Sequence, residues 1–569
     1  MDKQTIFNTH LAHSVKQGEE TYLPTDYLIA EETILEVFMR QVAAHADETF
    51  LTFYAADGSC INYTYAETAL RVFRTANFLL AQELIEEDRI ATVSYNHIDT
   101  VVQYLAAWCV GMTVVPINAS ESPERIAYIL QHSETKLCFV RDEYVEMISN
   151  LGVETLVVAS NDFESLIAEH AGELTAGKVQ DSRGSLADEN YNASSYADLE
   201  TEALIVYTSG TTGQPKGVVL TQYNLLVDAD SISTWHGIAA GDAMMCVLPI
   251  HHVNGTVVTI LTPLYAGGRV VLCQKFQTDV FFEWLASESI SIVSVVPTLL
   301  AFLLQADIDI SSLNLSYFKH FICGAGPLTV ELCAKFEDRY GLKVIHGYGL
   351  SETTCYSCFL PVDLSAAEHQ SWLRAFGFPS IGVAVAGNEM QIFNERGEPV
   401  REGYRGEIVI RGHNVMKGYY RDAEANQKAF ERGWFHSGDE GFYKTDAEGR
   451  KFFFITGRLK ELIIRGGVNL SPLEIDEVLM QIDGVKSAIA VGFENDWYGE
   501  EVGAYVQLQG GAALTAEVIL LQCAQKLPPN KCPKVVVFGD AIPVTSTGKY
   551  QRNKVKHLFA AWKSVQFKK

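Results

Sequence analysis

Ala203-Leu204-Ile205-Val206-Tyr207 is an uninterrupted apolar run. It leads straight into Thr208-Ser209-Gly210-Thr211-Thr212-Gly213-Gln214-Pro215-Lys216-Gly217 and then into a second apolar run, Val218-Val219-Leu220. The first run reads as a buried strand, because five consecutive apolar residues leave no polar face for water. The loop behind it offers several hydroxyls, one lysine, and glycines that let backbone N–H groups turn one way. Those are the donors that phosphate oxygens need. A plain hairpin turn is the competing reading, but two hydroxyl pairs flanking glycines with Pro-Lys-Gly behind them are unusual for one. The loop is not of the Walker type: counting from Gly210, Pro215 stands where glycine is required and Gly217 where serine or threonine would bind magnesium.

Outward from this loop, helix and strand patterns alternate. Thr64 and Glu67 form a capping box ahead of Ala69, Phe73, Ala76 and Leu80, which recur on one helical face. Residues 89–95 form a β-type run. Asp99 is placed to cap the next helix, which should stop near Gly111 before a strand at 113–116. Strand, helix and strand in this order build a doubly wound sheet. Further strands are expected at 292–296, 317–323 and 343–345. From Gly382 to Arg411 short strands with glycine turns suggest a smaller β subdomain, and after Arg458 a compact α+β region begins. The expectation is therefore an α/β protein: a large N-terminal domain of doubly wound mixed sheets with a β subdomain, residues 1–458, and a small mobile C-terminal domain, residues 459–569.

The chain of 569 residues exceeds one compact core. Its 44 Lys and Arg against 70 Asp and Glu give a formal net charge of −26, which repels nucleic acid and anionic lipid. An anionic substrate must then be held by local donors and a divalent cation. Eleven scattered cysteines, an odd number in a large chain, argue for free thiols in a reducing compartment. The residues from Thr256 to Cys273 are interrupted by Pro263, Gly267, Gly268 and Arg269, so they cannot cross a bilayer as one helix. A cytoplasmic location, as monomer or homodimer, is expected.

The phosphate loop resembles that of the adenylate-forming superfamily of acyl-CoA synthetases, peptide-synthetase adenylation domains and firefly-type luciferases. Further segments match in order from about Leu35 to Arg552. The resemblance implies that Thr208, Ser209, Gly210, Thr211, Thr212, Gly213 and Lys216 hold the phosphates of ATP. In Gly347-Tyr348-Gly349-Leu350-Ser351-Glu352 it implies that Tyr348 stacks on adenine, Ser351 contacts the α-phosphate and Glu352 holds Mg²⁺, a hard cation that suits a carboxylate. Gly324-Ala325-Gly326 would line the adenine and acyl pocket. Asp439 would accept the ribose hydroxyls, with Arg458 beside ribose or phosphate and Lys460 as hinge. Lys549, in Thr547-Gly548-Lys549, would bridge the attacking carboxylate and the α-phosphate, so that it stands with Thr208, His252 and Glu352 as the catalytic set. Gly466 and Gly467 would lie in a strand lining a thiol tunnel, or mark a simple glycine bulge.

Pro249-Ile250-His251-His252-Val253-Asn254-Gly255 resembles the acyl-pocket motif, with His251 where phenylalanine is common and His252 beside the carboxylate. No aspartate stands between Pro249 and Thr256 to pair with an amine, which disfavours an α-amino acid and leaves fatty, aryl or short-chain acids. The expected reaction is formation of acyl-AMP from a small-molecule carboxylic acid, then transfer to coenzyme A. Transfer to the phosphopantetheine of an acyl carrier protein, luciferase-type oxygenation and a non-catalytic nucleotide-binding scaffold stand as alternatives.

Overall fold

A computed structural model of the chain describes residues 3–17, 20–23, 26–30, 33–174, 196–208, 214–544 and 550–567. The fold is α/β, and among the described residues two large sheets carry most of it. In the first, the strands Glu202–Thr208, Thr113–Asn118, Arg89–Ser94, Leu137–Val140 and Leu156–Ala159 run parallel. Lys216–Thr221 turns back antiparallel on Glu202–Thr208, and Gly418–Tyr419 closes that edge. The second sheet has thirteen strands and is parallel from Val344–Tyr348 through His320–Cys323, Ile292–Val295, Ala243–Cys246 and Arg269–Cys273 to Thr49–Tyr54. Both faces of these strands are covered, which is why they are almost wholly apolar.

The antiparallel strands expected as a β subdomain are present, but they do not stand apart. Cys358–Phe359 pairs back on Val344–Tyr348 and joins Ser380–Ala384, Lys451–Arg458, Phe435–Thr445, Gly406–Gly412 and Asn388–Phe393 to the same sheet. A separate five-stranded sheet takes up the chain from Ile463 onward, and its apolar core, with Ile475, Leu479, Ala488, Val502 and Ile519 at the centre, shares no residue with the larger one. The two bodies touch where the carboxylate of Glu477 accepts the N–H groups of Val330 (3.1 Å) and Glu331 (3.2 Å), at the start of helix Val330–Tyr340. A carboxylate there meets both unsatisfied donors and the positive end of the helix dipole.

Local signals hold with instructive exceptions. The capping box at Thr64 forms with both bonds, and Ala69, Phe73 and Ala76 face the core. Asp99 does not cap its helix: His97 does, accepting the N–H of Asp99 at Nδ1, because the Asp99 carboxylate is drawn to Arg71 at 2.8 Å. The apolar run after His252 begins as a π-helix, Asn254–Leu261, a rare form that recurs at functional sites. None of the eleven cysteines is in a disulfide, and only Cys60 is exposed. No helix among the described residues is long and apolar enough to cross a membrane.

Candidate active site

Thr208 ends its strand directly opposite Lys216, so the two rims of the phosphate loop are pinned by backbone pairing. Ser209, Gly210, Thr211, Thr212 and Gly213 lie outside the described residues, as does Lys549. Two positions past Lys216, Val218 pairs with Tyr419 on the edge strand. The Lys216 ammonium sits over the Tyr419 ring, 4.8 Å from its centroid, and the Tyr419 hydroxyl donates to Glu352 Oε1 at 2.9 Å. Burial and the Glu352 carboxylate push the Tyr419 hydroxyl well above its ordinary pKa, so it stays a donor. The backbone carbonyl of Glu352 accepts the N–H of Met416 at 2.8 Å. Glu352 is thereby tied to the phosphate loop through Tyr419, a residue the motifs did not single out.

Gly347 and Tyr348 belong to the strand Val344–Tyr348 rather than to the loop expected there. The loop begins at Gly349, where a Cβ would stand 1.8 Å from the carbonyl oxygen of Cys355, so only glycine fits. Ser351 opens a single turn, Ser351–Thr353, and Thr354 behind it is held at φ +57°, ψ −60°. That is a strained position for a β-branched residue, of the kind that surrounding structure must enforce. Here the enforcing contact is the Thr354 hydroxyl donating to the carbonyl of Asn414 at 2.7 Å.

The buried Tyr348 hydroxyl donates to Asp439 Oδ2 at 2.7 Å, and Arg458 Nε lies 3.3 Å from Asp439 Oδ1. Asp439 and Arg458 are register partners on adjacent antiparallel strands, which brings them together across the sheet. Burial, then the Asp439 charge, pushes the Tyr348 hydroxyl up, and Asp439 raises Arg458 further. Glu352 and Tyr348 both act on Arg458 electrostatically, so the tyrosine–aspartate–arginine group and the Glu352 group form one site.

The segment expected beside the acid is built on a turn. Asn96 accepts the N–H of Ile250 at 2.8 Å and donates to the carbonyl of Leu248 at 2.9 Å, fixing Pro249–His252. The rings of His251 and His252 lie 4.5 Å apart. Ser294 donates to Asn254 Oδ1 at 2.7 Å and Asn254 donates to the Tyr356 hydroxyl at 3.1 Å. Gly324 packs under that hydroxyl, leaving 2.6 Å to a would-be Cβ, and Ala325 beside it is held at φ +60° before Gly326. The sequence motifs singled out His252 and Gly324 but gave no role to Ser294, Asn254 and Tyr356, whose link exists only in three dimensions.

Lys460 is exposed in the turn Leu459–Glu461, between the last strand of the large sheet and the first of the small one. Gly466 and Gly467 are not in a strand. They form the two-residue tip of the hairpin Ile463–Arg465 and Val468–Leu470, at φ +57° and +81°, as a type I′ turn demands. The turn alone accounts for both glycines. Arg552, beyond Lys549 in the chain, is buried and forks onto both oxygens of Asp476.

A single carboxylate with phosphate-binding groups around it suits magnesium carried mainly by a triphosphate, and among the described residues no cluster of three or more His, Cys, Asp or Glu could hold a metal unaided. Comparison with known proteins agrees with this chemistry. A family model described as AMP-binding enzyme matches residues 38–420, and one for the AMP-binding enzyme C-terminal domain matches residues 474–549. The chain is 34% identical over 462 residues to sulfoacetate–CoA ligase of Cupriavidus necator, covering 79% of this chain and 84% of the relative. It is 30% identical over 509 residues to oxalate–CoA ligase of Arabidopsis thaliana, covering 88% and 94%. Among solved structures, ATP-bound MatB from Rhodopseudomonas palustris superposes with a TM-score of 0.80 at 26% identity, covering 92% of this chain and 99% of that one.

Proposed function

The chain belongs to the family of AMP-binding enzymes, and from that premise we propose that it is an acid–thiol ligase: it activates a carboxylic acid as acyl-AMP with release of pyrophosphate, then transfers the acyl group to coenzyme A. The observation that carries the reading is the convergence of Lys216, Tyr419 and Glu352 with Tyr348, Asp439 and Arg458 on one site. A silent nucleotide-binding scaffold would have no use for a metal-binding carboxylate beside a phosphate loop.

In the first half-reaction two anions must meet, so neutralisation and in-line placement carry most of the rate. Thr208, the loop 209–213 and Lys216 hold the phosphates. Glu352 is the protein ligand for Mg²⁺, which when bound draws off charge from the phosphate oxygens. Tyr348 faces adenine and Asp439 accepts from the ribose hydroxyls, with Arg458 paired beside it. His252 stands beside the acid, and Lys549 bridges its carboxylate and the α-phosphate. In the second half-reaction residues 459–569 turn about Lys460 and Lys549 withdraws. The hairpin 463–470, with Gly466 and Gly467 at its tip, then flanks the entering thiol.

Pyrophosphate release from MgATP, measured across a panel of acids with and without coenzyme A, tests the reading. Acid-dependent release with a CoA-dependent thioester is expected. Release without thioester would move the acceptor to a carrier-protein phosphopantetheine, and silence with every acid would refute ligase activity.

A further inference from the structure

His251 is the one imidazole at the acid end for which the structure leaves an open account. Both of its ring nitrogens are buried, and neither has a hydrogen-bond partner among the described residues. In either tautomer a neutral imidazole presents one donor and one acceptor, and burying both unmet is unfavourable. Native interiors rarely tolerate such groups, and a named exception calls for a ligand or a function. Protonation does not resolve it: burial, then the neighbouring His252, holds the His251 ring well below its ordinary pKa and hence neutral.

The surroundings supply no partner either. Ser294, Asn254 and Tyr356 spend their hydrogen bonds on one another. Asn96 spends its own on the backbone of the turn. The backbone that bears the ring is fixed by Asn96 on one side and by the π-helix on the other, where the N–H of Thr256 donates to the carbonyl of His252 at 3.0 Å. If packing were the whole role of this side chain, a phenyl ring would fill the space without two orphaned polar atoms.

We propose that His251 is a specificity-determining residue: its ring hydrogen-bonds an oxygen-bearing group on the acyl chain, so the protein selects short acids with a second carboxylate, sulfonate or hydroxyl close to the reacting carboxylate. This deepens the ligase reading and rests on it. In the proposed reaction His252 stands beside the reacting carboxylate, and with 4.5 Å between the two ring centroids the second group must lie close to it along the acid. That spacing is met when only a few atoms separate the groups, and an unsubstituted fatty or aryl acid leaves His251 unpaired. A site built to hydrogen-bond a substrate discriminates strongly against the analogue that lacks the group.

The test compares full-length wild-type protein with His251→Phe and His251→Gln by acid-dependent pyrophosphate release. The acids are matched pairs, glycolate with propionate and malonate with butyrate, plus hexanoate and benzoate. Wild type should favour the polar member of a pair by about tenfold or more in kcat/KM. His251→Phe should lose most of that ratio, chiefly through KM, while His251→Gln, which keeps a donor and an acceptor, should retain more of it. A melting curve for each variant separates misfolding from lost selectivity. An unchanged ratio in His251→Phe, or a wild-type preference for the unsubstituted acid, overturns the inference while leaving the ligase reading intact. Silence of the wild type with every acid overturns both.

Discussion

Asp228→Asn should make the protein more stable, and increasingly so as the pH rises from 5 to 8. Asp228 is fully buried on the helix Gln222–His236 and accepts from Asn414 Nδ2 at 2.9 Å. Its second oxygen and the side-chain oxygen of Asn414 have no partner among the described residues. Burial pushes the Asp228 carboxyl from 3.8 up to about 8. Below pH 4 the group is protonated in both folded and unfolded chains. Between about pH 4 and 8 the unfolded chain sheds that proton and the folded one keeps it, so folding loses stability as the pH rises; above 8 the loss is constant. At about 1.4 kcal/mol per pKa unit the loss grows by about 4 kcal/mol from pH 5 to pH 8. Asparagine cannot ionise, and its amide can serve the orphaned oxygen of Asn414. With unfolding entropy near 2.1 cal/mol/K per residue over roughly 450 residues, the Tm advantage of the variant should widen by about 4 °C over that interval. Melting curves of both proteins at pH 5, 6, 7 and 8 measure it. A difference that stays flat with pH, or a variant that melts below wild type at pH 8, would show that Asp228 is ionised and refute the reasoning.

Lys549→Ala should slow adenylate formation by about a hundredfold or more yet spare thiolysis of supplied acyl-AMP, and an equal loss in both steps would refute its assigned role. Lys460→Pro should show the reverse split, since it stiffens the connection between the bodies while leaving the first site intact; an unimpaired overall rate removes the hinge. Glu352→Gln should raise the Mg²⁺ concentration needed for half-maximal pyrophosphate release by about tenfold, and a magnesium titration that superposes on wild type would assign the metal elsewhere.

What could be read from the sequence is what lies within one stretch of backbone. Thr64 and Glu67 cap a helix three residues apart, and Thr208 and Lys216 face each other across a hairpin whose sequence runs between them. What could not be read depends on partners set by the sheet. Tyr419 meets Glu352 because Gly418–Tyr419 pairs with Lys216–Thr221, some two hundred residues earlier in the chain. Asn414 reaches Asp228 across 186 positions and Thr354 across 60. No spacing rule covers such contacts, and at Asp99 even a local rule gave way once Arg71 offered its carboxylate a better partner than the helix end.

Gly466 and Gly467 show how one readable signal can have two causes. Two glycines between Ile463-Ile464-Arg465 and Val468-Asn469-Leu470 are what a type I′ hairpin requires, whatever the protein does. Their presence is therefore no argument for a thiol path, and the two causes need an experiment that holds one fixed. Gly467→Asn does so. Asparagine tolerates the left-handed region, and a Cβ at 467 would meet nothing within 4 Å, so the hairpin and the melting temperature should survive. A side chain at the tip would nonetheless crowd a thiol arm passing beside it. If the tip flanks the thiol, CoA-dependent thioester formation from supplied acyl-AMP should fall by about tenfold through the KM for coenzyme A, with pyrophosphate release unchanged. If neither step moves, the glycines serve the turn alone, and the thiol must enter elsewhere.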